Sequence, residues 1–339
     1  MIVALWGSST ALGAGEYDPA THADAQALVE ELGEGGLARD WAASALREAT
    51  FRPGVLEAMA GAAERRLRWD EYRAIFLTPE RITQGVAFIE AHAEAFARAE
   101  EVFGVSSQVI AAIIGVETAY GRYTGRHRVL DSLSTLAFEH PSRGRFFRGE
   151  LAAFLEITHE QGVAPGSLDG SYAGAMGYPQ FIPTSYRAYA VDFDGDGIRD
   201  LWTNPVDAIG SVGNYLAEHG WQRGAPIYHE AEGPNTPPEG IAFNRTARPY
   251  ASLATLDEAG VVSRAALGAD PAVIPLALEV SETEWRYRLG RENFYVITRY
   301  NHSHLYAMAV TELAEAIAAR RAPASDRSEA GVAEPKEDA

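Results

Sequence analysis

VIAAIIGVETAYG, Val109 to Gly121, sets an unbroken apolar run against a single carboxyl group. No polar side chain interrupts Val109 to Val116, and Glu117 follows at once. Such a run reads as a buried helix, and its carboxyl then sits among hydrophobic neighbours. Desolvation raises a carboxyl pKa, which is how a general acid stays protonated near neutral pH. Gly121 is expected to end the helix in the left-handed conformation, leaving Glu117 about one turn from the end, near a cleft rim. Alone, a helical Glu is more often paired with an arginine such as Arg122 or Arg126, so its role depends on what surrounds it.

Outward from this stretch, apolar residues recur at helical spacing from Ala23 to about Arg98, punctuated by Pro53 and Pro79. Helical patterns return over Ser107 to Glu160 and around Pro205 to Gly220, while Gly162 to Pro183 has the Gly, Pro and Ser content of a loop. After Trp221 the composition shifts. Ala272 to Val280 (AVIPLALEV) and Phe294 to Thr298 (FYVIT) read as strands, and His304 to Ala319 as a helix. The expected architecture is mainly α (α+β). An N-terminal helical domain spans 15–80, a helical core 81–222, a small β-containing insertion 223–294, and a return to the helical body 295–320. The tail, 321–339, has almost nothing to bury and reads as disordered. Residues 1–14 resemble the end of a secretory signal but lack its positive charge, and read equally well as a buried N-terminal segment.

With 339 residues, 47% of them apolar, the chain can bury a sizeable core. A formal net charge of -18 argues against a nucleic-acid partner and against a surface that adheres to anionic polymers. If the substrate is anionic, a dedicated site must hold it. The absence of cysteine excludes disulfides, thiolate metal sites and a lipid-modified cysteine. No other stretch approaches a membrane span, so neither a span nor a lipid anchor is expected.

Asp192, Asp194 and Asp196 followed by Gly197 form D-x-D-x-D-G, the opening of a calcium loop. Alternate carboxylates converge on one hard cation, Gly197 permits the turn, and the Ile198 carbonyl supplies the next oxygen. Position twelve, where such a loop carries Glu, is Thr203; the next suitable acid is Asp207. Asn204 and Pro205 look like an N-cap and first helical residue, so Asp207 either closes the metal site or completes the cap. Such a metal would be structural, and no organic cofactor is expected. Further along, SYAGAMGYPQFIPTSY (Ser171 to Tyr186) contains Gln180, and Tyr300, Asn301 and Tyr306 lie where a strand is expected to give way to a helix. Tyrosine faces and amides suit a sugar's C–H surfaces and hydroxyl groups. His302 and His304 read as ordinary polar residues.

Six ordered motifs now carry a resemblance: IIGVETAYG, VLDSLSTLAFEHP from Val129, SYAGAMGYPQFIPTSY, VDFDGDG from Val191, PVDAIGSVGNYLAEHGW from Pro205 and FYVITRYNHSHLYAMAV from Phe294. Together, over roughly Phe76 to Ala319, they resemble the B-type lytic murein transglycosylases, glycoside hydrolase family 103. The resemblance implies a lysozyme-like helical catalytic core, a bound structural Ca2+, and non-hydrolytic cleavage of the MurNAc-GlcNAc bond of peptidoglycan to leave 1,6-anhydro-MurNAc ends. It makes Glu117 the catalytic acid. Arg143, Ser171, Gln180, Tyr215, Tyr300, Asn301 and Tyr306 become substrate-binding residues, with Arg143 meeting a peptide or lactyl carboxylate. The calcium ligands would be Asp192, Asp194, Asp196, the Ile198 carbonyl and Asp207. One departure leaves Asp207 open: Trp202-Thr203-Asn204-Pro205 is one residue longer than in a family relative. The implied location is the periplasm or cell envelope, as a soluble protein. Its partner would be peptidoglycan strands; the sequence singles out no protein of cell-wall synthesis. Two alternatives stand beside this reading: a hydrolytic muramidase using a second acid such as Asp131 or Glu139, and a non-catalytic peptidoglycan-binding envelope protein.

Overall fold

The computed structural model describes residues 16–62, 67–268 and 271–322. The segment expected as a signal remnant and all but the start of the tail lie outside the described residues. The described residues divide into two compact units.

The first unit holds residues 16–62, Gly125–Met176 and Phe181–Arg187. Its helices are Ala23–Glu34, Arg39–Glu48, Pro53–Ala62, Val129–Glu139 and Gly144–Glu160, with Pro183–Tyr189 beginning in it. Leu130, Leu133 and Leu136 recur at helical spacing and are fully buried, as are Leu151, Phe154 and Leu155 on the facing helix. The turn between them is held by His140, whose Nδ1 accepts the N–H of Ser142 (3.3 Å) and Arg143 (3.1 Å). Strands β1 (His127–Arg128) and β2 (Asp169–Gly170) pair antiparallel, His127 opposite Gly170. Gly125 enters β1 with φ 110°, and a Cβ there would lie 1.9 Å from the Gly170 carbonyl oxygen, so only glycine lets the strands approach.

The second unit holds residues 67–124, Gly177–Gln180 and the described residues from Ala188 onward. At its centre is the helix Ser107–Thr118, against which the helices Pro79–Ala91, Ala93–Phe103, Pro205–Glu218 and His304–Arg321 pack. A helix apolar on every face must be enclosed on every face, which explains why the opening stretch contains no polar stripe. Ile110, Ile113 and Ile114 are fully buried, each contributing about 1.5–3 kcal/mol. Its neighbours begin at clear caps. Thr78 accepts the Arg81 N–H ahead of Pro79, Asn204 accepts the Val206 N–H ahead of Pro205, and Ser303 caps the last helix.

This unit also carries β3 (Tyr228–Glu232), β4 (Val262–Ser263), β5 (Ile274–Glu279) and β6 (Trp285–Gly290), in the order β4-β3-β6-β5, all antiparallel. Val273, Ala277, Tyr287 and Leu289 bury a small core against Leu256 of the short helix Leu253–Glu258. At the β5 edge, the Asn244 amide accepts from Ala277 N–H (3.0 Å) and donates to its carbonyl (2.8 Å), taking the place of a further strand.

Phe294 to Thr298, expected as a strand, is helical and lies within Glu292–Tyr300. The β-rich composition is overridden by tertiary contacts. Phe294 and Ile297, three apart, bury one helical face, and the fully buried Asn293 side chain accepts the Gln222 N–H (2.8 Å) and donates to the carbonyls of Gln222 and Ala225. Among the described residues no single helix is long and apolar enough to cross a membrane. The pair Ala93–Phe103 and Ser107–Thr118 passes by length and composition only together, bent by 113°.

Candidate active site

The helix bearing Glu117 stops earlier than Gly121. It ends at Thr118, and Ala119, Tyr120 and Gly121 all have positive φ (51°, 62° and 84°). Tyr120 N–H reaches back to the Ile114 carbonyl (3.3 Å) and Ala119 N–H to Gly115 (3.1 Å), so the turn satisfies carbonyls of the last helical turn. Ala119 and Tyr120 hold a conformation that L-residues rarely adopt, costing on the order of 1–3 kcal/mol each. Packing enforces it. The Tyr120 ring lies over Gly115 and Gly85, where an added Cβ would meet its hydroxyl at 2.6 and 2.5 Å, and that hydroxyl donates to the Arg81 carbonyl (2.9 Å). Glu117 is therefore the penultimate residue of a buried helix, next to a sharp turn.

Neither Arg122 nor Arg126 pairs with Glu117. Arg122 pairs with Glu80 (3.4 Å), Arg126 belongs to the first unit, and among the described residues Glu117 makes no ion pair. Among the described residues its side-chain hydrogen bond comes from Tyr306, whose hydroxyl donates to Oε1 (2.7 Å). Burial pushes the Glu117 pKa from 4.5 up to about 7, against the opposing pull of the Tyr306 bond. Burial and the Glu117 charge together push Tyr72 up to about 12, and raise Tyr300 and Tyr306 well above the usual tyrosine value. These phenols stay neutral donors.

Three expected residues form an aromatic ladder. Tyr306 and Tyr300 stack at 6.3 Å between ring centroids, and Tyr300 meets Tyr215 edge-on at 4.8 Å. Tyr300 donates to the Pro179 carbonyl (2.6 Å) and Tyr215 to that of Arg299 (2.6 Å), so each ring is fixed at its polar end. Asn301 follows in extended conformation, exposed. Gln180 has φ 51° and donates to the carbonyls of Thr124 (3.0 Å) and Gly177 (2.9 Å). Ser171 and Arg143 lie in the first unit. The Ser171 hydroxyl accepts the N–H groups of Ala173 and Ala175 (3.2 and 3.0 Å), leaving its proton free to donate. The Arg143 guanidinium lies over Phe146 and Phe147 at 4.8 and 5.0 Å.

Tyr72 and His304 were not signalled by the sequence. They line a cavity of about 420 Å3 with Trp69, Trp285, Asn244 and Ser303. Burial lowers His304 to about 4, so it is neutral near pH 7. Tyr72 and Glu117 are far apart along the chain, and no motif joins them; only the fold reveals their proximity.

In the acidic loop, Asp192, Asp194 and Asp196 each offer a carboxylate oxygen within 4.8 Å of the others. Two ligands 2.3–2.6 Å from one cation are separated by at most about 5 Å, so the set fits calcium. Asp192 also accepts the N–H groups of Gly195 and Gly197 (2.7 and 2.8 Å), curling the loop. Asp207 is not one of the converging three. Fully buried, it accepts the Phe193 N–H (2.7 Å) and the Asp200 N–H (2.8 Å), tying the two sides of the loop together. Phe193 anchors the loop against Gly210, Phe103 and Arg98. From the loop a line of bonds leads back to Glu117: Tyr178 N–H donates to the Leu201 carbonyl (2.9 Å), and Thr118 Oγ1 donates to the Tyr178 carbonyl (3.0 Å).

The family described as Transglycosylase SLT domain matches residues 20–315. Membrane-bound lytic murein transglycosylase B of Escherichia coli (strain K12) is 46% identical over 255 residues, 75% of this chain and 68% of that protein. Among solved structures, the soluble lytic transglycosylase SltB1 from Pseudomonas aeruginosa superposes with a TM-score of 0.82 at 45% identity, covering 88% of this chain and 99% of that one. The Escherichia coli lytic transglycosylase Slt35 in complex with calcium gives 0.82 at 40%, covering 91% and 96%. SltB3 from Pseudomonas aeruginosa in complex with NAG-NAM-pentapeptide gives 0.75 at 32%, covering 87% and 79%.

Proposed function

This chain belongs to the lytic murein transglycosylases with an SLT domain, peptidoglycan-cleaving lyases, and on that premise we propose that Glu117 alone serves as acid and then base in cutting the MurNAc-GlcNAc bond. Protonated Glu117 donates to the glycosidic oxygen as the C1–O bond breaks, while the muramyl acetamido oxygen stabilises the cation at C1. Ionised Glu117 then takes the proton from the C6 hydroxyl, O6 closes onto C1, and a 1,6-anhydro-MurNAc end forms with no water consumed. A group that must begin protonated and finish as a base works best with a pKa near the working pH, and the observation that carries this reading is a carboxyl at the end of an enclosed apolar helix, held by the Tyr306 hydroxyl (2.7 Å), where burial raises its pKa.

Tyr306 orients the carboxyl and stabilises its ionised form. Tyr215, Tyr300, Asn301 and Gln180 present rings and amides to the glycan, Asn301 or Ser171 orients the acetamido group, and Arg143 meets a carboxylate of the substrate. A hydrolytic muramidase would need a second free acid. Asp131 is taken up in its own unit, accepting Thr50 N–H (3.0 Å) and pairing with Arg52 (2.8 Å) and Arg128 (3.2 Å). Mass spectrometry of digested peptidoglycan tests the reading. Products one water lighter than reducing sugars are expected, and reducing ends would overturn it.

The acidic loop would hold a structural Ca2+ through Asp192, Asp194, Asp196 and the Ile198 carbonyl, an EF-hand-like set. Asp207 would brace that loop from behind, through the N–H groups of Phe193 and Asp200. Such an ion neutralises the clustered carboxylates and supplies no chemistry to the bond being cut. We place the protein in the cell envelope, where its substrate is, with residues 81–222 as catalytic core and glycan strands as partner.

A further inference from the structure

An anionic substrate of a chain with net charge -18 needs a local site that reverses the field. The first unit contains one. A cavity of about 320 Å3 is lined by Arg52, Arg126, His127, Arg128, Asp131 and Ser132. Asp131 is its single acid, buried and already bonded to Arg52 and Arg128. Three guanidinium groups against one carboxylate leave an excess of two positive charges.

Each cation is held differently. Arg52 gives Nε and one terminal nitrogen to Asp131 (3.0 and 2.8 Å), and its side chain is still half exposed. Arg128 is fixed through Asp131 and the Gly166 carbonyl (3.0 Å). Arg126 is exposed, and no acid among the described residues pairs with it. The tight β1–β2 pairing fixes the backbone of this wall, and the Ser132 hydroxyl, buried without a partner, is a further polar group. The guanidinium nitrogens that Arg52 and Arg128 do not spend on Asp131 and Gly166, together with the exposed Arg126, suit a carboxylate.

Register links the cavity to the glycan. His127 pairs with Gly170, and Ser171 is the next residue after Gly170. Antiparallel partners lie about 5 Å apart, and each further residue adds about 3.4 Å. A muramyl sugar at Ser171 would therefore carry its stem peptide within a few residues' reach of Arg126.

We propose that this arginine-lined cavity binds a free carboxylate of the stem peptide and makes the enzyme favour glycan whose stems are charged. The proposal rests on the transglycosylase reading and on Ser171 as a glycan contact. Two defined glycan strands test it, identical except that the stem carboxylates are free in one and amidated in the other, each cleaved by wild type and by Arg126→Glu. Arg126 is chosen because Arg52 and Arg128 also neutralise a buried Asp. Wild type is expected to favour the free-carboxylate strand through KM, and Arg126→Glu to lower that preference about ten-fold. Arg126→Lys should restore part of it. An unchanged ratio, or no preference in wild type, overturns the proposal. Reducing ends from both strands would instead refute the transglycosylase chemistry, whatever the ratio.

Discussion

At the residue scale, the consequences of the raised Glu117 pKa can be separated. The folded pKa of about 7 exceeds the ordinary 4.5, so the folded state holds its proton more tightly than the unfolded chain. Stability linked to this proton is complete below pH 4.5 and is lost as pH rises through 7, leaving a penalty of about 3 kcal/mol above that. Glu117→Gln removes both the acid and the penalty. It should abolish lysis and melt higher than wild type at pH 8, the two curves converging near pH 4. A constant difference across that range would refute the raised pKa. Tyr306→Phe deletes the bond that favours the ionised form, so the Glu117 pKa should rise by about one further unit. The alkaline limb of kcat/KM should move up with it, while kcat at pH 7 falls because the second step needs a base. The apolar approach to Glu117 was legible in the sequence, because a continuous run from Val109 to Val116 can only be enclosed. Tyr72 was not, since its nearness depends on how distant helices pack.

Elements meet the site through contacts that only small residues allow. Gly177 has φ 66°, and a Cβ there would lie 2.1 Å from the Leu201 carbonyl oxygen, so Gly177→Ala must part the acidic loop from the segment that holds Thr118 and Tyr300. A loss of at least about 2 kcal/mol is expected, with kcat falling although Gly177 touches no carboxyl of the site. Unchanged unfolding would show that this contact is dispensable. The same line of bonds predicts that chelation lowers Tm and that calcium restores it, whereas Asp192→Asn makes Tm insensitive to calcium. If the Tm of chelated protein stays put when calcium is added, the loop holds no ion under those conditions. Motifs with local geometry were readable here: Asn204-Pro205 caps its helix because a cap needs only its next residues. Phe294 to Thr298 misled, since β-branched and aromatic side chains suit either a pleat or a buried helical face, and the choice is made by Asn293 bonding to the distant residues Gln222 and Ala225.

For the whole molecule, the net charge of -18 and the carboxylates of murein act with the same sign over distances greater than any contact. At about 0.01 M salt the screening length is about 30 Å, and repulsion slows the approach of enzyme to cell wall; at 0.15 M it is about 8 Å, and only adjacent charges still interact. Cleavage of intact peptidoglycan, measured as kcat/KM at fixed calcium, should therefore rise as salt increases over this range, by roughly two- to ten-fold. A protein that bound its polymer through a basic surface would show the opposite slope. The Arg52, Arg126 and Arg128 cavity adds a second component, because a carboxylate held between guanidinium groups is screened less than one passing at a distance. Strands with amidated stems carry less charge to repel, so their rate should rise less steeply. Rates that fall steadily from 0.01 to 0.15 M on both strands would show that attraction to local cations governs encounter, and that the overall negative field does not.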